Sequence, residues 1–113
     1  MQVEAPALKG LFNMLLLSIL ADRPLHAYAL IDALEQAGRG QFHFSAQAVY
    51  PALHRLEHLG VVSSSLSAFS GRTRRTYSIT PQGRDQLTAD WKAWEEFTAA
   101  IAALIDSRRA GDH

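Results

Sequence analysis

The 113-residue chain contains no cysteine, which excludes disulfides, thiolate metal sites and cysteine nucleophiles, and is consistent with a reducing, cytoplasmic setting. It has no excess of either charge, since 11 basic residues balance 11 acidic ones. It also lacks a long hydrophobic run: the most apolar stretch, Leu11–Ala21, is interrupted by Asn13 and Ser18 and is too short to cross a bilayer. Met1–Ala7 carries Glu4 and no basic cluster, so no secretory signal is expected. There is no internal repeat, low-complexity tract or glycine-rich phosphate loop, and Ser63, Ser64, Ser65 and Ser67 have no histidine pattern nearby.

What remains is a chain of single-domain length whose 48% apolar content suits a folded core. Its neutral balance hides a division. Between Gln36 and Arg84 lie six arginines (Arg39, Arg55, Arg72, Arg74, Arg75 and Arg84) against one acid, Glu57, while the other segments carry the matching acidic surplus. Such a division creates an oriented field that a polyanion would feel, although a solvated basic surface would look the same in composition.

Periodicity predicts four helices and a hairpin. Leu8–Ala21 has helical apolar spacing and is greasy on nearly all sides, so it should be buried on two faces; Asp22-Arg23-Pro24 stops it. A second helix is expected from His26 to Ala37, with Tyr28, Leu30, Ile31 and Leu34 inward and Gly38-Arg39-Gly40 at its end. Phe42 and Phe44 would anchor the connector. Ser45 is the expected N-cap of a third helix, with Val49, Ala52, Leu53, Leu56 and Leu59 on one face. Gln47, Tyr50, Pro51, His54 and His58 share the opposite face, with Arg55 at its edge. Pro51 should make the first turn irregular but still helical. Val61–Leu66 and Arg74–Ile79 read as strands joined by a mobile basic tip containing Gly71.

Thr80-Pro81 then opens a long helix, threonine as N-cap and proline at the first helical position. Leu87, Trp91, Trp94, Ile101 and Ile105 follow three-four spacing along a rod of about 40 Å. That is longer than a small domain can cover, so part of its apolar face should meet another chain. The fold class expected is mainly α with a small β-hairpin: a winged helix-turn-helix over residues 1–80, followed by a dimerisation helix over residues 81–113.

In a winged helix the third helix enters the DNA major groove and the hairpin grips the backbone. On that geometry Gln47 bonds adenine, Tyr50 reaches a phosphate, and His54 or Arg55 approaches guanine or backbone. Arg72, Arg74 and Arg75 on the wing lie near phosphates or the minor groove.

Several of these stretches resemble the PadR family of bacterial transcriptional regulators. The resemblance runs from about Leu8 to the middle of the last helix. It rests on Pro24-Leu25-His26-Ala27-Tyr28, on Ser45 with Val49-Tyr50-Pro51-Ala52-Leu53-His54-Arg55-Leu56-Glu57 and Gly60, and on Gly71-Arg72 through Tyr77-Ser78-Ile79-Thr80 with Gly83. It implies a homodimer joined by the first and last helices, acting as a ligand-responsive repressor on a palindromic operator, with no cofactor or metal and no catalysis. It also implies that Ser45 belongs to the DNA-binding surface, and that Trp91 and Trp94 face a cavity taking flat aromatic or hydrophobic effectors. The alternative for the two tryptophans is plain interface core. Two departures stand out. Ala27 replaces the usual glycine, and Gln47-Ala48 replaces the usual Gly-Thr, removing one hydroxyl contact to phosphate.

Two other readings compete. His54-Arg55-Leu56-Glu57-His58 spells H-x-x-E-H, the inverted zinc-peptidase pattern, which would still need a third ligand and a cleft. A winged helix that binds an acidic protein instead of DNA would use the same arginines.

Overall fold

The computed structural model describes residues 5–111, so part of the Met1–Ala7 reading lies outside the described residues. Seven elements follow one another: α1 (Ala5–Asp22), β1 (Leu25–His26), α2 (Ala27–Ala37), α3 (Ala46–His58), β2 (Val62–Phe69), β3 (Arg72–Ile79) and α4 (Pro81–Gly111). The sheet is antiparallel in the order β1-β3-β2. This is the expected winged helix-turn-helix with a long C-terminal helix. Among the described residues no helix is long and apolar enough to cross a membrane.

The core forms where the apolar stripes of α1, α2 and α3 meet the base of the wing. Leu16, Leu17, Leu20, Leu30, Leu34, Val49, Leu53 and Leu56 pack with Val61, Val62 and Tyr77. Ser45 caps α3 as expected, its hydroxyl accepting from the Ala48 amide at 3.2 Å. The helix runs unbroken through Pro51, whose missing amide proton would have met the carbonyl of Gln47 in the second turn. Its C-terminus is a Schellman turn: Val61 N donates to Leu56 O at 3.1 Å, Gly60 N to Glu57 O at 3.0 Å, and Gly60 takes φ +80°.

Four local expectations change. Leu25-His26 pairs with Tyr77 and Thr76 as a third strand, where a helix start was expected. Tyr28 is 67% exposed, not inward, because it lies across α2 from buried Ala27, Leu30 and Leu34. Leu59 is 65% exposed, because it is the C-cap residue, where the chain leaves the helix. Phe42 stays largely exposed and leans on Gly38, while Phe44 packs on Phe12 at 5.9 Å between ring centres.

The hairpin is longer than the sequence pattern indicates. Pairing continues to Phe69↔Arg72, and the turn is Ser70-Gly71 with φ of 51° and 75°. Two consecutive positive φ values are the signature of a type I′ turn, whose twist matches that of the strands it joins. The tip is therefore a tight ladder end, not a seven-residue loop.

Helix α4 is locked to this body at its first turn. Thr80 Oγ1 accepts from Gly83 N at 3.0 Å and donates to Gly60 O at 2.7 Å, and Thr80 N donates to Val61 O at 3.1 Å. Leu87, Trp94 and Phe97 are half-buried, the latter two on the side lined by α1, whereas every residue from Thr98 to Gly111 is exposed. The molecule is accordingly elongated, 67 × 29 × 23 Å.

Candidate nucleic-acid interface

Amphipathic spacing turns Val49, Ala52, Leu53 and Leu56 into the core and leaves Gln47, Tyr50, His54, Arg55 and His58 exposed along one side of α3. Ser45 stands at its N-terminus with its hydroxyl engaged in capping. The face expected to read base edges is thus presented as a continuous strip of donors and acceptors.

The wing arginines diverge. Side chains alternate along a strand, so Arg72 and Arg74 share one face of β3 and Arg75 takes the other. Arg72 sits at the exposed tip beside the turn. Arg74 is half-buried, its Nη1 3.5 Å from His26 Nε2. Arg75 turns toward α3, where Nη1 donates to Ser64 Oγ at 2.9 Å, and the same hydroxyl donates to Glu57 Oε2 at 2.5 Å.

Between α2, α3 and the wing lies a groove of about 390 Å³. Tyr28, Tyr50, His26, Arg72, Arg74 and Arg75 line it, with Tyr77 at its base. Tyr28 and Tyr50 meet edge to face, ring centres 6.5 Å apart and planes at 80°. The groove follows β3 beyond the point where β1 stops pairing. A groove lined by arginine and tyrosine residues suits a phosphate-rich backbone, although the Arg75 guanidinium itself is turned toward Ser64. Tyr77 is 2% exposed, and burial pushes its phenol pKa above the ordinary value; Arg75 opposes that rise, while Glu57 and Tyr50 add to it.

The sequence pattern assigned no site role to His26 or Tyr28, although both belong to the Pro24-Leu25-His26-Ala27-Tyr28 stretch. The signal that would have found Tyr28 is its place opposite the buried stripe of α2. His54, Glu57 and His58 do not assemble a metal centre. The Glu57 carboxylate is bonded to Ser64, and among the described residues no group of three or more histidine, aspartate or glutamate side chains is placed to hold an ion.

The two tryptophans border different cavities, each lined in part by Met14 of α1. Trp94 lines a cavity of about 290 Å³ with Gly10, Leu11, Met14, Asp90 and Phe97, and its ring lies 5.9 Å from that of Phe97. Trp91, 52% exposed, borders a second cavity of about 410 Å³ with Met14, Leu15, Ser18, Leu87 and Thr88.

Comparison with known proteins agrees with this geometry. Residues 16–89 match the transcriptional regulator PadR-like family. The chain is 38% identical over 81 residues to the transcriptional regulator Rv3488 of Mycobacterium tuberculosis, covering 72% of this chain and 73% of that protein. A PadR family regulator from Eggerthella lenta superposes with a TM-score of 0.78 at 28% identity, covering 87% of this chain and 85% of that one. A transcriptional regulator from Clostridium thermocellum shares the fold with a TM-score of 0.81 at 21% identity, over 88% of this chain and 97% of that one. The chain belongs to the PadR-like family of transcriptional regulators.

Proposed function

We propose that the protein is a cytoplasmic, homodimeric repressor that binds a palindromic operator and responds to a flat aromatic or hydrophobic effector. Residues 1–80 form the reading head and residues 81–113 the dimerisation helix. Supporting this is α4, the observation that carries the reading. Leu87, Trp94 and Ile101 recur every seven residues, as do Phe97 and Leu104, so one stripe runs the length of the helix. The stripe begins against α1 and continues uncovered through Ile101, Leu104 and Ile105, which are 39%, 62% and 49% exposed. A second copy of the chain is the partner that supplies a matching stripe, and two-fold pairing would set two copies of α3 in successive major grooves about one helical turn apart.

Within each head, Gln47, Tyr50, His54 and Arg55 face the bases and nearby backbone, with Ser45 at the helix start. Arg72, Arg74 and Arg75 act from the wing. The Trp94 cavity lies between α1 and α4, so a ligand wedged there would alter the separation of the heads. Such a ligand shifts the equilibrium only by its differential affinity for the two arrangements. An acidic protein partner would use the arginines but has no need of the amphipathic face around Gln47.

The test contrasts two variants on a promoter fragment from the protein's own locus. Arg74→Ala should weaken binding to every sequence and lower the salt slope by about one, whereas Gln47→Ala should mainly alter sequence preference. Equal loss on all DNA for Gln47→Ala would remove its base-reading role.

A further inference from the structure

Glu57 is the one carboxylate among six arginines between residues 36 and 84. A carboxylate on a surface that meets phosphates repels them, so its presence there calls for a compensating role. Glu57 stands half-buried in the last turn of α3, seven residues beyond Tyr50 and so on the same side of the helix. It accepts the Ser64 hydroxyl proton at 2.5 Å, and the Ser64 oxygen accepts from Arg75 Nη1 at 2.9 Å. One hydroxyl proton and free lone pairs satisfy both contacts together, giving a relay from guanidinium through hydroxyl to carboxylate.

The relay ties three elements. Ser64 is opposite Tyr77 and Leu66 is opposite Arg75, so Ser64 and Arg75 are diagonal neighbours on one face of the hairpin. Glu57 belongs to α3. β1 pairs with the hairpin at Thr76 and Tyr77, and beyond those residues the wing projects as a two-stranded ribbon. Such ribbons twist and bend more readily than wider sheets.

We propose that Glu57 is a positioning residue that, through Ser64 and Arg75, fixes the angle between the wing and the recognition helix. The functional consequence rests on the DNA-binding reading above; the effect on wing order does not. Arg75 then serves chiefly as the wing's tether, leaving Arg72 and Arg74 to meet the backbone. A wing held at a set angle presents those two arginines and the α3 strip in one rigid arrangement, so less order has to be imposed when DNA binds.

The experiment uses the full chain and three variants: Glu57→Ala, Ser64→Ala and Glu57→Gln. Hydrogen exchange of the wing is followed without DNA, and binding to the promoter fragment is titrated at several salt concentrations. Glu57→Ala and Ser64→Ala should exchange wing amides about tenfold faster, reflecting the lost bond to a charged group. The Glu57→Gln amide oxygen still accepts the Ser64 proton, so its exchange should stay within about twofold of the parent. DNA affinity in the first two variants should fall about three- to tenfold with the salt slope unchanged, because no phosphate contact is removed.

Unchanged wing exchange in both Glu57→Ala and Ser64→Ala would overturn the proposal. So would tighter, more salt-sensitive DNA binding by Glu57→Ala, the mark of a carboxylate that merely repels phosphate. Ser64→Ala changes a strand side chain outside the core, so it decides the matter even if Glu57→Ala folds poorly. Should the parent bind no DNA, wing exchange still decides whether the relay holds the wing, and the failure belongs to the DNA-binding reading.

Discussion

Replacing Gly83 by alanine attacks the joint between α4 and the α3–β2 turn. A Cβ at this position would lie 2.1 Å from the Val61 carbonyl oxygen and 2.7 Å from Ile79 Cγ1. The isoleucine can rotate away. The carbonyl is held, because it accepts from Thr80 N at 3.1 Å. Restoring ordinary contact moves the start of α4 by about 1 Å. That displacement pulls on both Thr80 hydroxyl bonds, 3.0 Å from Gly83 N and 2.7 Å to Gly60 O. Overpacking of this kind costs about 3 kcal/mol, of which alanine's better helix propensity returns about 1 kcal/mol. The net loss of about 2 kcal/mol lowers the midpoint of thermal unfolding by about 8 °C for a chain of this size. The assay is thermal and urea unfolding followed by circular dichroism, at one fixed protein concentration because the stability of the proposed dimer would depend on it. A Gly83→Ala protein as stable as the parent would show that the joint has room to spare and that the Val61 carbonyl is not fixed.

Tyr77 carries a pH prediction. Its folded-state pKa is raised above 10.0, mainly by burial, so the stability linked to its neutral phenol is complete below pH 10 and declines as pH rises through the folded value. Tyr77→Phe should flatten this alkaline loss, and identical stability curves for the two proteins would contradict the assignment. Leu104→Glu places a charge on the uncovered stripe of α4 and should convert a dimer into monomers in sedimentation experiments; an unaltered dimer would remove this face from the interface. In Trp91→Phe the remaining tryptophan is Trp94, and its fluorescence should be quenched by flat aromatic compounds. If none of a panel quenches it, Trp94 is plain core.

The parts of this fold that were legible in the sequence are those stabilised locally. The α3 stripe, the Ser45 cap and the Thr80-Pro81 start each follow from side-chain chemistry within one or two helical turns. The strand Leu25-His26 was not legible, because two residues carry no period and exist as a strand only through pairing with β3. Tyr28 was expected inward with Leu30, Ile31 and Leu34, yet it lies opposite the buried stripe and packs on Tyr50 across the groove. The directions of Arg74 and Arg75 depend on strand register, which the two-residue Ser70-Gly71 turn sets. Glu57 resembled a zinc-site base in sequence, and its bond to Ser64 depends on the folded hairpin coming back over α3.

Whether two copies of this chain read one operator can be decided in a single titration. The promoter fragment from the protein's own locus is titrated at several salt concentrations and against random DNA, with the stoichiometry determined. Two chains should occupy each site and protect two half-sites about one helical turn apart, with binding that weakens steeply with salt yet stays far tighter than to random DNA. Binding no tighter than to random DNA, or a single chain per site, would contradict the paired-head reading.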